Sequence, residues 1–258
     1  MKRVLKKLNT LLFTVDLKWL LRFAYKRGWQ RVGHLRTRLS GRLYVDVSMD
    51  GTTVRLSTLT PYHHSIAKGI SSGLYETGPM KAWLQQIPGK KLVYDLGGFN
   101  GIYGFLAALR APDSEVVIYE PDATNVKELQ NSIVLNHLTN CRVESAAIAE
   151  HSGTVFFTQG ASTGEHISDE KNGSPVRAYA LKDLPHADLI KIDIEGAEAM
   201  ALRGMDYKAI VLLEIHKELL PDFNDSFESI MKLIKDKGYQ IREVDEEEGS
   251  YHPHVLMT

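Results

Sequence analysis

Two short apolar runs carry charges where charges are expensive. In Leu189-Ile190-Lys191-Ile192-Asp193-Ile194-Glu195 a base and two acids alternate with isoleucines, and a later run, Ile210-Val211-Leu212-Leu213-Glu214-Ile215, ends at His216. Side chains along a strand point alternately to opposite faces, so a strand over 189–194 puts Lys191, Asp193 and Glu195 on one face. An unpaired charge buried there costs several kcal/mol. These groups therefore either neutralise one another, as a structural Lys191 pair with Asp193 or Glu195, or face a ligand crevice. In the second reading Asp193 stands nearest the reacting atom, Glu195 sits at the start of the next helix and His216 is the titratable base. His216 also reads as a satisfied core histidine. Asp193, Glu195, Glu214 and His216 offer oxygen and imidazole donors, but no recognised ligand spacing accompanies them and no metal is expected.

A second constellation lies upstream. Val93-Tyr94-Asp95-Leu96-Gly97-Gly98-Phe99-Asn100-Gly101 runs off an apolar strand into a helical pattern, and glycines there let backbone approach a ligand closely. A dinucleotide fingerprint needs G-x-G-x-x-G, yet Phe99 occupies the second glycine's place. What remains, Asp-x-Gly-x-x-x-Gly, suits a nucleoside carrying an amino acid, with Asp95 toward its ammonium end and Gly97 and Gly98 beneath it. The next strand ends in Tyr119-Glu120-Pro121-Asp122, 25 positions after Asp95. An acid at that place can accept hydrogen bonds from both ribose hydroxyls. Ala146 and Ala147, after a third strand, are small enough to admit a flat base. Each feature also has a plainer reading: a packing turn, a solvated acid, a tight alanine contact.

The elements that would position these residues follow an alternating pattern. Strands are expected at 92–96, 116–119, 142–148, 189–194 and 210–215, with helices at 102–110, 125–137 and 198–203 between them. Near-continuous apolar strands imply a parallel sheet covered on both faces, an α/β domain. A helix over 226–237 leads to strands at 239–244 and 254–257, joined across the acidic turn 245–249 as an antiparallel pair. Ahead of this lie a hairpin, 43–47 with 53–57 around Asp50-Gly51, and a short helix over 79–86. His63-His64, His252 and His254 fall in loop-like sequence near prolines. The polar stretch 160–174 reads as a long loop.

Charge divides the chain. Met1 to Arg42 holds twelve basic residues and one acid, a formal +11, which leaves −12 for the rest. Val4 to Ala24 places apolar residues at helical spacing among lysines and arginines, a basic amphipathic helix that suits an anionic membrane surface or the chain's own acidic part. Its apolar stretches are too short for a span or a secretory signal. With the single cysteine Cys141, no intrachain disulfide forms. The cytoplasm is the expected compartment, with membrane association at its face if the helix binds lipid. The basic arm's aromatics look committed to helix packing, so nucleic acid is not an expected partner.

One stretch resembles a known signature. Asp188-Leu189-Ile190-Lys191-Ile192-Asp193-Ile194-Glu195-Gly196-Ala197-Glu198 followed by Leu202-Arg203-Gly204 is similar to that of the FkbM-type methyltransferases. Gly73-Leu74-Tyr75-Glu76, Asp95-Leu96-Gly97, Glu120-Pro121 with Asn125 and Asn131, and Glu214-Ile215-His216 stand where that family's pattern puts them. The likeness covers about 43–238 and leaves the basic segment outside. It implies a class I methyltransferase domain over 91–258, after a lead-in of hairpin and helix over 43–90. It also implies a Rossmann-like, doubly wound, mostly parallel seven-stranded sheet with an antiparallel last strand. The donor would be S-adenosyl-L-methionine, touched by Tyr75, Glu76, Asn100 and Pro121 besides the residues above and Asp193. The acceptor would be a hydroxyl of a sugar, glycan or other small natural product. Where the family often has Ala-Asn-Ile this chain has Gly98-Phe99-Asn100, which shifts the asparagine by one place. An NAD-dependent oxidoreductase, or a glycan- or membrane-binding module without catalysis, are the alternatives.

Overall fold

The computed structural model describes residues 43–73, 75–157, 167–168, 173–245 and 252–258. The basic segment 1–42, with its expected amphipathic helix, lies outside them, as do most of the polar stretch 160–174 and most of the turn 245–249. Among the described residues no helix is long and apolar enough to cross a membrane.

The chain opens with the hairpin β1 (Tyr44–Met49) and β2 (Thr52–Ser57), followed by helices α1 (Pro61–Ser71) and α2 (Thr77–Gln86). Then come β3 (Leu92–Leu96), α3 (Ile102–Arg110), β4 (Glu115–Tyr119), α4 (Ala123–Leu135) and β5 (Cys141–Glu144). Four short strands follow: β6 (Ala147–Ile148), β7 (Gly153–Phe157), β8 (Ile167–Ser168) and β9 (Ser174–Tyr179). The last part holds β10 (Leu189–Ile192), α5 (Glu198–Arg203), β11 (Ile210–Glu214), α6 (Phe227–Asp236), β12 (Ile241–Glu243) and β13 (His254–Met257).

The main sheet has the order β12-β13-β11-β10-β3-β4-β5. β11, β10, β3, β4 and β5 pair in parallel, and β13 runs antiparallel to both β11 and β12. This is the expected seven-stranded Rossmann-like sheet with its last strand reversed. The chain order reverses direction between β3 and β10, which lie side by side, and in open α/β sheets the crevice beyond such a switch point receives ligands. Asp188 fixes the two strand starts by accepting the N–H groups of Lys91 and Leu92 at 2.7 and 3.1 Å.

The hairpin and first helices share the core of the sheet's one face: Val47, Leu56, Trp83, Val93, Phe105 and Ile118 are all buried in one cluster. Asn136 clamps β2 to the end of α4, accepting from Arg55 N–H at 2.8 Å and donating to Arg55 O at 2.7 Å.

Four expectations need correction. The strand expected over 142–148 breaks at Ser145-Ala146: β5 stays in the main sheet and β6 joins a second sheet, β6-β9-β7-β8, which the sequence pattern did not reveal. The strand expected over 189–194 stops at Ile192. Glu195 and Gly196 turn the chain with φ of +50° and +96°, so Asp193 and Glu195 belong to a loop rather than to an alternating strand face. His63 and His64 are buried in α1. His254 belongs to β13, also buried.

Candidate active site

A cavity of about 630 Å³ opens beyond the carboxyl ends of β3, β4, β10 and β11. Its first wall is the turn after β3. Gly97, at φ +77°, donates its N–H to Tyr119 O at 2.9 Å, and a Cβ built on it would lie 1.7 Å from Asp193 O. Only glycine lets the tips of β3 and β10 meet so closely. A Cβ built on Gly98 would lie 2.1 Å from Ile118 Cγ2, so the turn stays thin there too. Phe99 adopts a left-handed backbone (φ +44°) although it is no glycine, and its ring stacks on His63 at 4.8 Å.

Asp95 is buried under this turn and accepts the Gly104 N–H at 2.8 Å. Burial pushes its carboxyl up to about 6 against that hydrogen bond and Lys191. Glu120 accepts Phe99 N–H on one oxygen and Asp122 N–H on the other, both at 2.9 Å. Burial again prevails, lifting it to about 7. Asn100 spends its amide oxygen on the Ile102 N–H at 3.0 Å, at the head of α3, while still lining the cavity. Pro121, Ala146 and Ala147 line the same end, and the two alanines are buried.

The opposite wall is crowded with charge. Lys191 is completely buried, with Nζ 3.3 Å from Asp193 Oδ2, 3.5 Å from Glu214 Oε2 and 5.0 Å from the centre of the Tyr103 ring. Burial opposes its charge, but the surrounding carboxylates hold it protonated, above its usual range. Tyr103 donates its hydroxyl to Glu76 Oε2 at 2.7 Å. Burial and Glu214 push Asp193 well up, with Lys191 pulling the other way. His216 holds Glu198 Oε1 with Nδ1 at 2.9 Å and turns Nε2 toward Asp193, Glu195 and Glu214. Burial works against its charge, yet Glu198, Asp193 and Glu195 outweigh it and raise it to about 10.

All of the sequence-derived site residues, Tyr75, Glu76, Asp95, Gly97, Gly98, Asn100, Glu120, Pro121, Ala146, Ala147, Lys191, Asp193, Glu195 and His216, line this one cavity. Lys191 is paired, and its partners Asp193 and Glu214 line the cavity. Sequence reasoning missed the contribution of α1, whose Tyr62 and His63 reach the cavity, and that of Glu218 and His252. Thr60-Pro61 was the available sign of α1, an N-cap followed by proline in the first turn: Thr60 Oγ1 accepts the His63 N–H at 3.2 Å. Glu198, fully buried behind His216, carried no local sign of its role.

The model of the methyltransferase FkbM domain matches residues 95–241, more than half of the chain. The chain belongs to the FkbM methyltransferase family. As a member it is an S-adenosylmethionine-dependent methyltransferase, and the oxidoreductase alternative falls away. The enzyme is similar to Methyltransferase 1 of Beauveria bassiana (strain ARSEF 2860), 20% identical over 184 residues, covering 60% of this chain and 74% of that protein. It is also similar to Methyltransferase sdnD of Sordaria araneosa, 23% identical over 206 residues, covering 61% and 77%. Among solved structures, M. jannaschii TYW2 in complex with AdoMet aligns at a TM-score of 0.45 and 12% identity, covering 83% of this chain and 84% of that one.

The cavity of the FkbM enzyme fits its donor. A sulfonium and an ammonium make the donor's reactive end cationic, and the charged wall has carboxylates in excess of cations. At the other end the turn leaves no room for Cβ atoms, and Glu120 keeps lone pairs beyond its two backbone hydrogen bonds.

Proposed function

We propose that this enzyme methylates a hydroxyl oxygen of a saccharide or related natural product. Three features support the reading: a thin glycine turn and Glu120 at one end of the cavity, small alanines beside them, and oxygen and imidazole groups at the other end. The observation that carries it is the convergence of Asp193, Glu195 and His216 on one point within reach of the glycine turn.

When bound, S-adenosylmethionine supplies an electrophilic methyl group. In this reading Glu120 accepts the ribose hydroxyls, Gly97 and Gly98 let the backbone lie against the nucleoside, Ala146 and Ala147 leave room for the base, and Asp95 underpins the turn. Tyr75, Glu76 and Asn100 close the cavity around the amino-acid end. Alignment of the acceptor oxygen gives most of the acceleration. A sugar hydroxyl is a poor nucleophile, and Asp193, Glu195 and His216 together receive its proton, a contribution of roughly 10²-fold or more. Because the three lie so close, the proton belongs to the group rather than to a single base.

The test uses full-length protein, methyl-labelled donor and a panel of monosaccharides, glycosides and lipid-linked glycans. Label recovered as a base-stable methyl ether supports the reading. Label found only on amines or as a hydrolysable ester overturns it. The +11 charge of Met1–Arg42 further supports a role for that segment in bringing the enzyme to anionic lipid on the cytoplasmic face. Sedimentation with phosphatidylserine vesicles that is lost on deleting residues 1–42 is the expected result, and no sedimentation of the intact chain removes the idea.

A further inference from the structure

The side of His216 that faces the cavity has an unusual environment. The residue is 3% exposed, and Glu198 holds its Nδ1 at 2.9 Å. Nε2 has no hydrogen bond among the described residues. Three carboxylate oxygens surround it instead: Glu195 Oε2 at 3.6 Å, Asp193 Oδ1 at 3.8 Å and Glu214 Oε1 at 3.8 Å. Those of Asp193 and Glu214 are the oxygens that Lys191 leaves over, because its Nζ faces Asp193 Oδ2 and Glu214 Oε2.

The spacing is too wide for hydrogen bonds and close to that of atoms sharing a metal ion. Donors bound at about 2.0–2.2 Å in tetrahedral or octahedral geometry stand roughly 3–3.6 Å apart. Glu198 adds the arrangement that metal-binding histidines use, a carboxylate on the far ring nitrogen that fixes the ring's orientation. It is itself fully buried and tied to the Gly196 N–H at 2.9 Å, so it is held by the same turn that presents Glu195. Three carboxylates share one lysine, and Nε2 faces all three, so a divalent cation at that point would take the place of the imidazole proton that they otherwise hold.

We propose that Asp193, Glu195, Glu214 and His216 bind one divalent first-row transition-metal ion, with Glu198 as the positioning residue for His216. A mixed set of carboxylate and imidazole donors favours Mn²⁺, Fe²⁺, Co²⁺ or Zn²⁺ over Mg²⁺ or Ca²⁺. The expectation of no metal rested on sequence spacing. The four ligands form one D-x-E and one E-x-H pair on adjacent strand ends, a spacing meaningful only once β10 and β11 are side by side. The ion's role rests on the hydroxyl-methylation reading: it would bind the acceptor oxygen, together with a second oxygen next to it, and the hydroxyl proton would pass to the Glu195 carboxylate oxygen that the ion does not hold. The acceptor class that follows is one with neighbouring oxygens, such as a vicinal diol.

The test is Mn²⁺ binding to dialysed full-length protein, read from loss of the free-ion paramagnetic resonance signal, with Co²⁺ absorption as a report of nitrogen and oxygen ligation. One ion per chain is expected, at a dissociation constant below about 100 μM, weakened at least tenfold in Glu195→Gln and in His216→Gln. Glu195 is the ligand for comparison because its side chain is 42% exposed, so its replacement leaves the packing in place. Adenosylhomocysteine affinity, retained within threefold in Glu195→Gln, verifies the fold. Glu198→Gln should weaken the ion and alter the Co²⁺ spectrum. Absence of uptake, uptake unchanged in Glu195→Gln and His216→Gln, or a Co²⁺ spectrum of the hydrated ion overturns the proposal. Adenosylhomocysteine binding and methyl-ether formation without Mn²⁺ uptake would reject the metal and keep the function, and Mn²⁺ uptake without a methylated hydroxyl would do the reverse.

Discussion

Glu120 and Glu214 are buried carboxylates at two ends of one cavity, three positions apart along the sheet, and they are satisfied in opposite ways. Glu120 accepts backbone N–H groups, those of Phe99 and Asp122. Glu214 faces side chains: Lys191 at 3.5 Å, His254 at 3.0 Å and His252 at 3.8 Å. Burial prevails at Glu120 and lifts it to about 7, while at Glu214 burial is outweighed by Lys191 and the histidines, which hold it far below the usual carboxylate range. Backbone dipoles tolerate a carboxylate without fixing its charge. A full cation fixes it, and makes every member of the cluster depend on the others.

The largest effect should therefore come from the charged wall. Lys191→Met removes the cation from between Asp193 and Glu214 and leaves buried carboxylates unpaired, at a cost of about 3–5 kcal/mol. The double variant Lys191→Met with Glu214→Gln should recover at least half of that in denaturant unfolding, since the two residues are coupled. A single-variant loss below about 1 kcal/mol would break the comparison, because Lys191 would then be only a neighbour of the cluster.

On the other wall, Gly97→Ala asks for a Cβ at 1.7 Å from Asp193 O in a left-handed backbone. Strain and overpacking together cost about 2–4 kcal/mol, and adenosylhomocysteine affinity should fall at least tenfold in isothermal titration. Wild-type affinity in this variant would mean that the β3 turn does not carry the donor.

The same contrast explains what the sequence made legible. The first wall is local: Asp95, Gly97, Gly98 and Glu120 lie within one strand-helix-strand unit, and the glycines report the close approach that demands them. The second wall joins α2, β10, β11 and β13 from across the chain, and a single sequence says nothing of which charges meet. Asp193 and Glu195 were found through their cost in an apolar run, but their strand alternation was wrong because the left-handed Glu195-Gly196 turn intervenes. His254 looked like a loop residue for a related reason: a three-strand edge formed by β11, β13 and β12 has no local pattern that predicts it. The sheet β6-β9-β7-β8 was hidden because its strands are short and one of them continues from β5 after a break.

A smaller effect sharpens the backbone half. Glu120→Gln should weaken adenosylhomocysteine about 10–100-fold, as expected for losing hydrogen bonds to a charged acceptor worth about 1.5–3 kcal/mol. Its stability tests the raised titration. A carboxyl with its folded value near 7, above the ordinary 4.5, contributes stability that is full below about 4.5 and is lost as pH rises through about 7. Without donor, wild type should therefore lose melting temperature relative to Glu120→Gln as pH goes from 5 to 8. A constant difference would show that Glu120 is not held up by burial.

The smallest expected effect is at Phe99, the one residue of the turn that is left-handed without being glycine. Phe99→Gly relieves about 1 kcal/mol of backbone strain, but it also gives up the stack on His63, worth about 0.5–1.5 kcal/mol, and adds chain entropy to the unfolded state. These terms nearly cancel, so chemical unfolding should change by less than about 1 kcal/mol in either direction. Donor affinity should change by less than tenfold, because the Glu120 carboxylate accepts the backbone N–H of residue 99, which glycine retains. A loss above about 2 kcal/mol would mean that the ring, rather than the backbone, holds the turn against α1. The two walls would then share a dependence on side chains, and the contrast between Glu120 and Glu214 would shrink to one of charge alone.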